Sequence, residues 1–318
     1  IIDAKGCYVV PGGIDMHTHG GGGRDFVEGS EEAFRTAVCA HVKHGTTAMY
    51  PTLSTSTVPM IETACKTCQK LMDEEDSPVL GLHIEGPYLN PAQARVLDPE
   101  LSKAPEPEKY KPLLDNNPCI KRWDEAPELP GSIEFIEACR HHGVLTALTC
   151  THATFETVEA AHNAGMTHAA HFYNAMPVVY KEHEFKVPGT VESVYALQDM
   201  TVETIADGIH VPPVMLHVVY QIKGVEKMAL ITDSLAYAAC NGEVTCEPRV
   251  ILEDGVCKLA DHSALAGSIA TMDTLIRTSI LKAEIPMIDV FRMASETPAK
   301  IMGVFDRKGS IEEGKDAD

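Results

Sequence analysis

The sequence predicts an α/β fold of the TIM type, a (β/α)8 barrel of parallel strands ringed by helices. Three observations carry that expectation. The chain has 318 residues, enough for one barrel of about 250 residues with its loops. Short β-branched or apolar runs alternate with longer helical patterns, so each strand is followed by a crossover, and crossovers build parallel sheets. Eight such runs occur, the number that closes a barrel.

Taken in order, strands are expected near Ile14–His19, Thr46–Thr52, Val79–Glu85, Ile120–Ala126, Leu145–His152, His168–Phe172, Val202–Ala206 and Lys227–Thr232. A helix is expected after Ser30, whose hydroxyl can cap a first turn containing Glu31 and Glu32. Ile61 to Leu71 is helix-like, and Thr154 to Ala164 forms a helix that Gly165 ends in a left-handed cap. The Pro-rich, charged stretch from Pro99 to Pro118 reads as an excursion between elements. The chain opens on Ile1 and stops in the polar turn residues after Gly309, so flanking segments are expected beyond both ends.

Composition narrows the function. The 26 basic residues face 46 acidic ones, a net charge of −20. Such a surface repels phosphate backbones and anionic lipid, which argues against nucleic-acid and membrane-surface binding. An anionic substrate would need a local positive site. No apolar run approaches the ~20 residues of a membrane span, and 44% hydrophobic with 23% charged residues describes a folded globular chain. The ten cysteines are scattered. Several, such as Cys39, Cys139 and Cys150, lie inside apolar or helical patterns, as reduced thiols of a cytoplasmic enzyme would. Cys65 and Cys68 share C-x-x-C spacing, but no second pair stands nearby.

The titratable residues then fall into place on the barrel. His17 and His19 form H-x-H, and period-two alternation sends both imidazoles to one face. Glu85 ends the third strand, His152 the fifth, His171 the sixth and Asp233 the eighth. Barrel enzymes take their catalytic groups from the C-terminal ends of several strands, so these six side chains are expected to gather around a cation at one rim. Asp15 is expected to point away from the histidine pair, and His168 to sit at the wrong end of its strand. Asp207 is a weak candidate contact. The Gly20–Gly23 run lacks the residues of a phosphate-binding motif and reads as a flexible loop beside the site.

The stretches PGGIDMHTHG (11–20), GLHIEGPYLNP (81–91), THATFETVEAAHNAGMTHAAHFYNAMP (151–177), IADGIHVPP (205–213), LITDSLAYA (230–238) and LAGSIATMD (265–273) resemble the N-acetylglucosamine-6-phosphate deacetylases of the amidohydrolase superfamily. The resemblance runs through nearly the whole chain in the right order. It implies a cytoplasmic enzyme of amino-sugar catabolism, commonly a homodimer, that holds one or two divalent ions. Zinc is the first expectation, with iron, manganese and cobalt also suited to His and carboxylate donors. The resemblance makes 12–303 the metal-dependent barrel, with 1–11 and 304–318 as remnants of a small flanking β-sandwich.

By the same resemblance, Glu85, His152 and His171 are the principal metal ligands, and His17 and His19 can add a second ion. Glu85 then bridges, and Asp233 is both the catalytic acid–base and a metal neighbour. His210 binds the substrate, while Asn174 and Ala175 hold the sugar phosphate through their backbone.

Two departures bear on the substrate. Where the family has a polar residue twelve positions after the glutamate, this chain has Leu97, and Arg95 is the nearest group able to donate to an acetyl carbonyl. Where the family has an arginine that reaches phosphate, this chain has Lys186, which lacks the bidentate fork. An epimeric or unphosphorylated N-acetylhexosamine therefore stays open as substrate. So does a cyclic amide, although Lys121 stands at the start of the fourth strand rather than at its mouth. A barrel that binds sugar phosphate without turnover is the remaining alternative.

Overall fold

The computed structural model describes residues 3–94, 101–242, 244 and 249–316. Its centre is the expected barrel. The strands β1 (Gly13–Thr18), β2 (Thr46–Leu53), β3 (Leu82–Glu85), β4 (Ile120–Glu125), β5 (Leu145–Leu148), β6 (His168–Ala169), β7 (Thr201–Ile205) and β8 (Met228–Ile231) lie side by side in sequence order. Each neighbouring pair in that order is parallel. Past the end of β8 the backbone turns back to β1. Asp233 N donates to His17 O at 2.9 Å, and His19 N donates to Ser234 O at 2.9 Å, which closes the ring at the rim.

One helix follows each strand: α1 (Glu31–Val42), α2 (Val58–Met72), α3 (Pro107–Asn116), α4 (Ser132–His141), α5 (Phe155–Ala164), α6 (Thr190–Ala196), α7 (Pro213–Lys223) and α8 (Met272–Leu281). Two more, α9 (Met287–Ala294) and α10 (Glu296–Ile301), precede turns that carry Val304 and Phe305 onto the cluster around Ile14 and Met16. Ser30 caps α1 as expected, accepting from Ala33 N at 3.2 Å. Thr154 caps α5, and Gly165 ends it with φ 130. None of the helices among the described residues is long and apolar enough to cross a membrane.

The structure revises several expectations. The excursion between Pro99 and Pro118 contains α3, which buries Tyr110, Leu113 and Leu114. β5 stops at Leu148 and β6 at Ala169, short of the expected His152 and Phe172. Between β8 and α8 stands an antiparallel sheet, Val250–Glu253, Val256–Leu259 and Leu265–Gly267. It packs Val250, Cys257 and Ala266 against Leu235 and roofs the barrel mouth. Gly20 and Gly21 pair with Arg24 and Asp25 in a tight hairpin. A Cβ on Gly20 would stand 2.3 Å from Arg24 O, so glycine there serves close backbone approach.

The barrel interior is polar beneath the rim. Arg122 of β4, fully buried, donates to Asp124 Oδ1 at 2.8 Å and to Glu203 Oε1 at 2.8 Å. Glu203 also takes His17 Nδ1 at 2.7 Å and His168 Nε2 at 3.2 Å. Removing one partner from a buried, hydrogen-bonded charge network of this kind typically costs about 3–5 kcal/mol, because the other charge is left uncompensated. This network fixes the floor on which the site is built.

Candidate active site

Glu85, at the end of β3, is the hub. Its two carboxylate oxygens face different partners. On one side Oε2 stands 3.3 Å from His19 Nε2 and 3.7 Å from His17 Nε2, and Asp233 Oδ1 lies 3.2 Å from that same His19 nitrogen. On the other side Oε1 stands 3.1 Å from His171 Nε2. Glu85, Cys150 and His171 form one group of donors within 4.8 Å of one another, and His17, His19 and Glu85 form a second. All six side chains sit at the C-terminal ends of barrel strands or just beyond them, where the fold opens.

Hydrogen bonds to the far sides of the rings orient two of the imidazoles. His171 Nδ1 donates to the carbonyl of Asn174 at 3.1 Å, and a carbonyl can only accept. The Nε2 lone pair of a neutral His171 therefore points at the Glu85 carboxylate. His17 Nδ1 donates to Glu203 Oε1 at 2.7 Å, which turns its Nε2 lone pair the same way. Lone pairs of nitrogen and oxygen facing each other at these distances need a proton or a cation between them. A carboxylate or carbonyl behind each ring is the usual support for a metal-ligating histidine, so the donor set fits divalent cations.

The electrostatics agree. Burial disfavours the imidazolium form of His17, but the charges of Asp233 and Glu203 outweigh it and hold its pKa at about 9. For His19 the bonds to Asp233 and Glu85 overcome burial and raise its pKa to about 10. Burial would raise Asp233, yet the paired histidines hold it at about 2. Positive charge is thus strongly favoured at this point of the molecule.

The structure brings His17, His19, Glu85, His171 and Asp233 together. His152, expected with them, stands apart as a correction to the sequence reading. It is exposed, its amide donates to Glu128 Oε1 at 2.7 Å, and its Nε2 meets Gln93 Nε2. The physical reason is the early end of β5. Beyond Leu148 the chain turns, Cys150 takes a left-handed φ of 42, and it is the cysteine that reaches Glu85 and His171. His171 and Asp233 share that strained conformation, with φ 28 and 44. Positive φ in non-glycine residues is concentrated at functional sites.

A cavity of about 690 Å³ opens above the cluster, lined by His19, Glu85, Cys150, His171, Asn174, Ala175, His210 and Asp233 among others. His210 Nδ1 binds Asp207 Oδ2 at 2.7 Å, while its Nε2 is buried without a partner. Asp207 also takes the amides of Ile209 and His210 at 2.8 and 2.9 Å, so it positions His210. Lys186 lies on the exposed hairpin Tyr180–Glu182/Phe185–Val187 and is not among the lining residues. Arg95 and Leu97 fall outside the described residues.

Sequence reasoning missed Cys150, Thr149, Arg122 and Glu203. Thr149 Oγ1 stands 3.1 Å from Glu85 Oε1 and 2.8 Å from His171 Nε2. A signal for Glu203 and Arg122 was present, namely charged residues inside otherwise strand-like runs. Asp15 was misplaced by parity. It shares the odd positions of His17 and His19, and it is fully buried, accepting from Thr232 Oγ1 at 2.6 Å.

Known proteins share this geometry's frame. The model of the amidohydrolase family matches residues 8–318. The N-acetylglucosamine-6-phosphate deacetylase of Haemophilus influenzae is 31% identical over 99% of this chain and 82% of its own. A solved deacetylase of the same name from Pasteurella multocida superposes with a TM-score of 0.93 at 30% identity, covering 99% of this chain and 82% of that one. A point mutant of the Mycobacterium smegmatis deacetylase, solved in complex with N-acetyl-D-glucosamine-6-phosphate, gives 0.89 at 29% identity, with 97% and 81% covered. With its barrel, its rim of donors and this match along the chain, the protein belongs to the amidohydrolase family, whose members are metal-dependent hydrolases.

Proposed function

We propose that this enzyme removes the acetyl group of an N-acetylated amino-sugar phosphate, with N-acetylglucosamine 6-phosphate as substrate and acetate and glucosamine 6-phosphate as products. The observation that carries the reading is Asp233 at the base of the cavity, its Oδ1 3.2 Å from His19 Nε2 and its neighbour Glu85 facing donors on both sides. The names of the relatives support it.

An acetamide resists water because water is a poor nucleophile and an amide anion a poor leaving group. Glu85, His17, His19, His171 and Asp233 would hold divalent cations, which would lower the pKa of a bound water toward neutrality and polarise the carbonyl. Zinc is the first expectation, and Glu85 belongs to two donor groups, so it would serve two such ions, one beside His17 and His19 and one beside His171. Asp233 takes the proton of the attacking water and delivers it to the departing nitrogen, so one carboxylate serves as base and then as acid. The new bond is C–O, the broken one C–N, and the proton ends on the amine. His210, braced by Asp207, offers its free Nε2 to the substrate, and the backbone at Asn174 and Ala175 holds the sugar's far end. The buried Cys65, Cys68, Cys119, Cys139 and Cys150 carry free thiols, which supports a reducing, cytoplasmic setting.

A second reading has its own observation. None of the described cavity-lining residues is Lys or Arg, which favours an unphosphorylated N-acetylhexosamine. Acetate release across phosphorylated and free N-acetylglucosamine and N-acetylgalactosamine decides. The proposal expects the highest kcat/KM on N-acetylglucosamine 6-phosphate. Faster turnover of a free sugar would replace it with the second reading, and turnover of none, with metal bound, would remove both.

A further inference from the structure

We infer that Cys150 is the third protein donor on the His171 side of Glu85, and that its thiolate biases this half of the site toward zinc and away from manganese and magnesium. The inference rests on the metal-dependent reading above. Its Sγ belongs to a compact donor group with Glu85 and His171, and all three residues are buried at the floor of the cavity. Thr149 Oγ1 touches all three partners, at 3.1 Å from Glu85 Oε1, 2.8 Å from His171 Nε2 and 3.8 Å from Cys150 Sγ. His152, the neighbouring imidazole that could compete, has its amide tied to Glu128 and its ring turned to Gln93.

Chemistry sets the consequence. A thiolate is a soft donor that suits Zn²⁺, whereas Mn²⁺ and Mg²⁺ prefer carboxylate, carbonyl and water oxygens. Binding breaks the S–H bond, forms a sulfur–metal bond and releases one proton to solvent. The other half of the site, with His17, His19 and Asp233, has nitrogen and oxygen donors only. The two halves therefore differ in softness, and they should differ in which ion they keep.

The chain itself provides controls for a test. Cys7 and Cys39 are exposed and should react with an alkylating agent whether or not metal is present. Protein stripped by a chelator and reloaded with Co²⁺ should show a thiolate-to-cobalt charge-transfer band in the near ultraviolet, and Cys150→Ser should lose it. Cys150→Ser should also weaken metal retention by more than the roughly 10–100-fold that follows loss of a mere supporting contact. Cys150→His, which keeps a donor at that position, should bind cobalt without the band.

Alkylation by iodoacetamide, read peptide by peptide, should fall at least tenfold at Cys150 on zinc loading, with Cys7 and Cys39 unchanged. This comparison uses the unaltered chain and holds even if the serine variant fails to fold. Cobalt bound without the band, or Cys150 alkylated equally with and without zinc, would overturn the inference. Acetate release from the same preparations separates the two readings. Turnover without the band overturns the cysteine ligand alone, whereas the band without turnover on any N-acetylhexosamine overturns the proposed function alone.

Discussion

Asp233→Asn should lower kcat by ~10²–10⁴, the usual contribution of a positioned acid–base group, while metal content stays near that of the unaltered protein. The expectation follows from where the residue stands. Its backbone amide holds His17 O at 2.9 Å and its carbonyl takes Ser268 N at 3.0 Å, so the strained turn is fixed from both sides and an isosteric amide should keep its place. His19 loses a carboxylate partner but keeps Glu85 Oε2 at 3.3 Å. An amide cannot carry the proton from the attacking water to the leaving nitrogen. Single-turnover acetate release with metal analysis on the same sample checks this. Turnover within a few fold of the unaltered enzyme would remove Asp233 from the chemistry.

Glu85→Gln should be more damaging still, losing metal and activity together. One oxygen faces His17 and His19 and the other faces His171, with Cys150 in the same donor group, so a single substitution strips a carboxylate from both halves of the site. The histidine pair, whose positive form is stabilised partly by Glu85, should also lose proton affinity. Metal per chain after gel filtration should fall to a small fraction of the unaltered value, with the circular dichroism of the barrel retained. Full metal content in Glu85→Gln would contradict the bridging geometry.

The barrel was legible because its cue is periodic and repeated. Each of the eight strand runs seeds a strand in the structure, and α1 and α5 carry the caps their sequences announce. The H-x-H pair and Glu85 were legible because period-two alternation and strand ends locate them on one rim. What sequence could not give was the end of β5. A short strand followed by Thr-Cys-Thr-His offers two metal donors two residues apart, and alternation puts Cys150 and His152 on the same face. Only the left-handed turn at Cys150 decides between them, and a backbone torsion held by tertiary contacts leaves no local pattern in the chain. The parity of Asp15, by contrast, is readable in the chain: it shares the odd positions of His17 and His19 and is buried with them. The sheet over the barrel mouth escaped notice because its short strands depend on packing against Leu235 rather than on alternation of their own.

Divalent ions bound on the two sides of Glu85 are the foundation of the proposed chemistry. Diffraction data collected on and off the zinc absorption edge from crystals of the zinc-loaded protein test them directly. The expected result is one anomalous peak between Glu85, Cys150 and His171 and another beside His17, His19 and Asp233. Peaks elsewhere, or a peak held by His152 with Cys150 turned away, would contradict it.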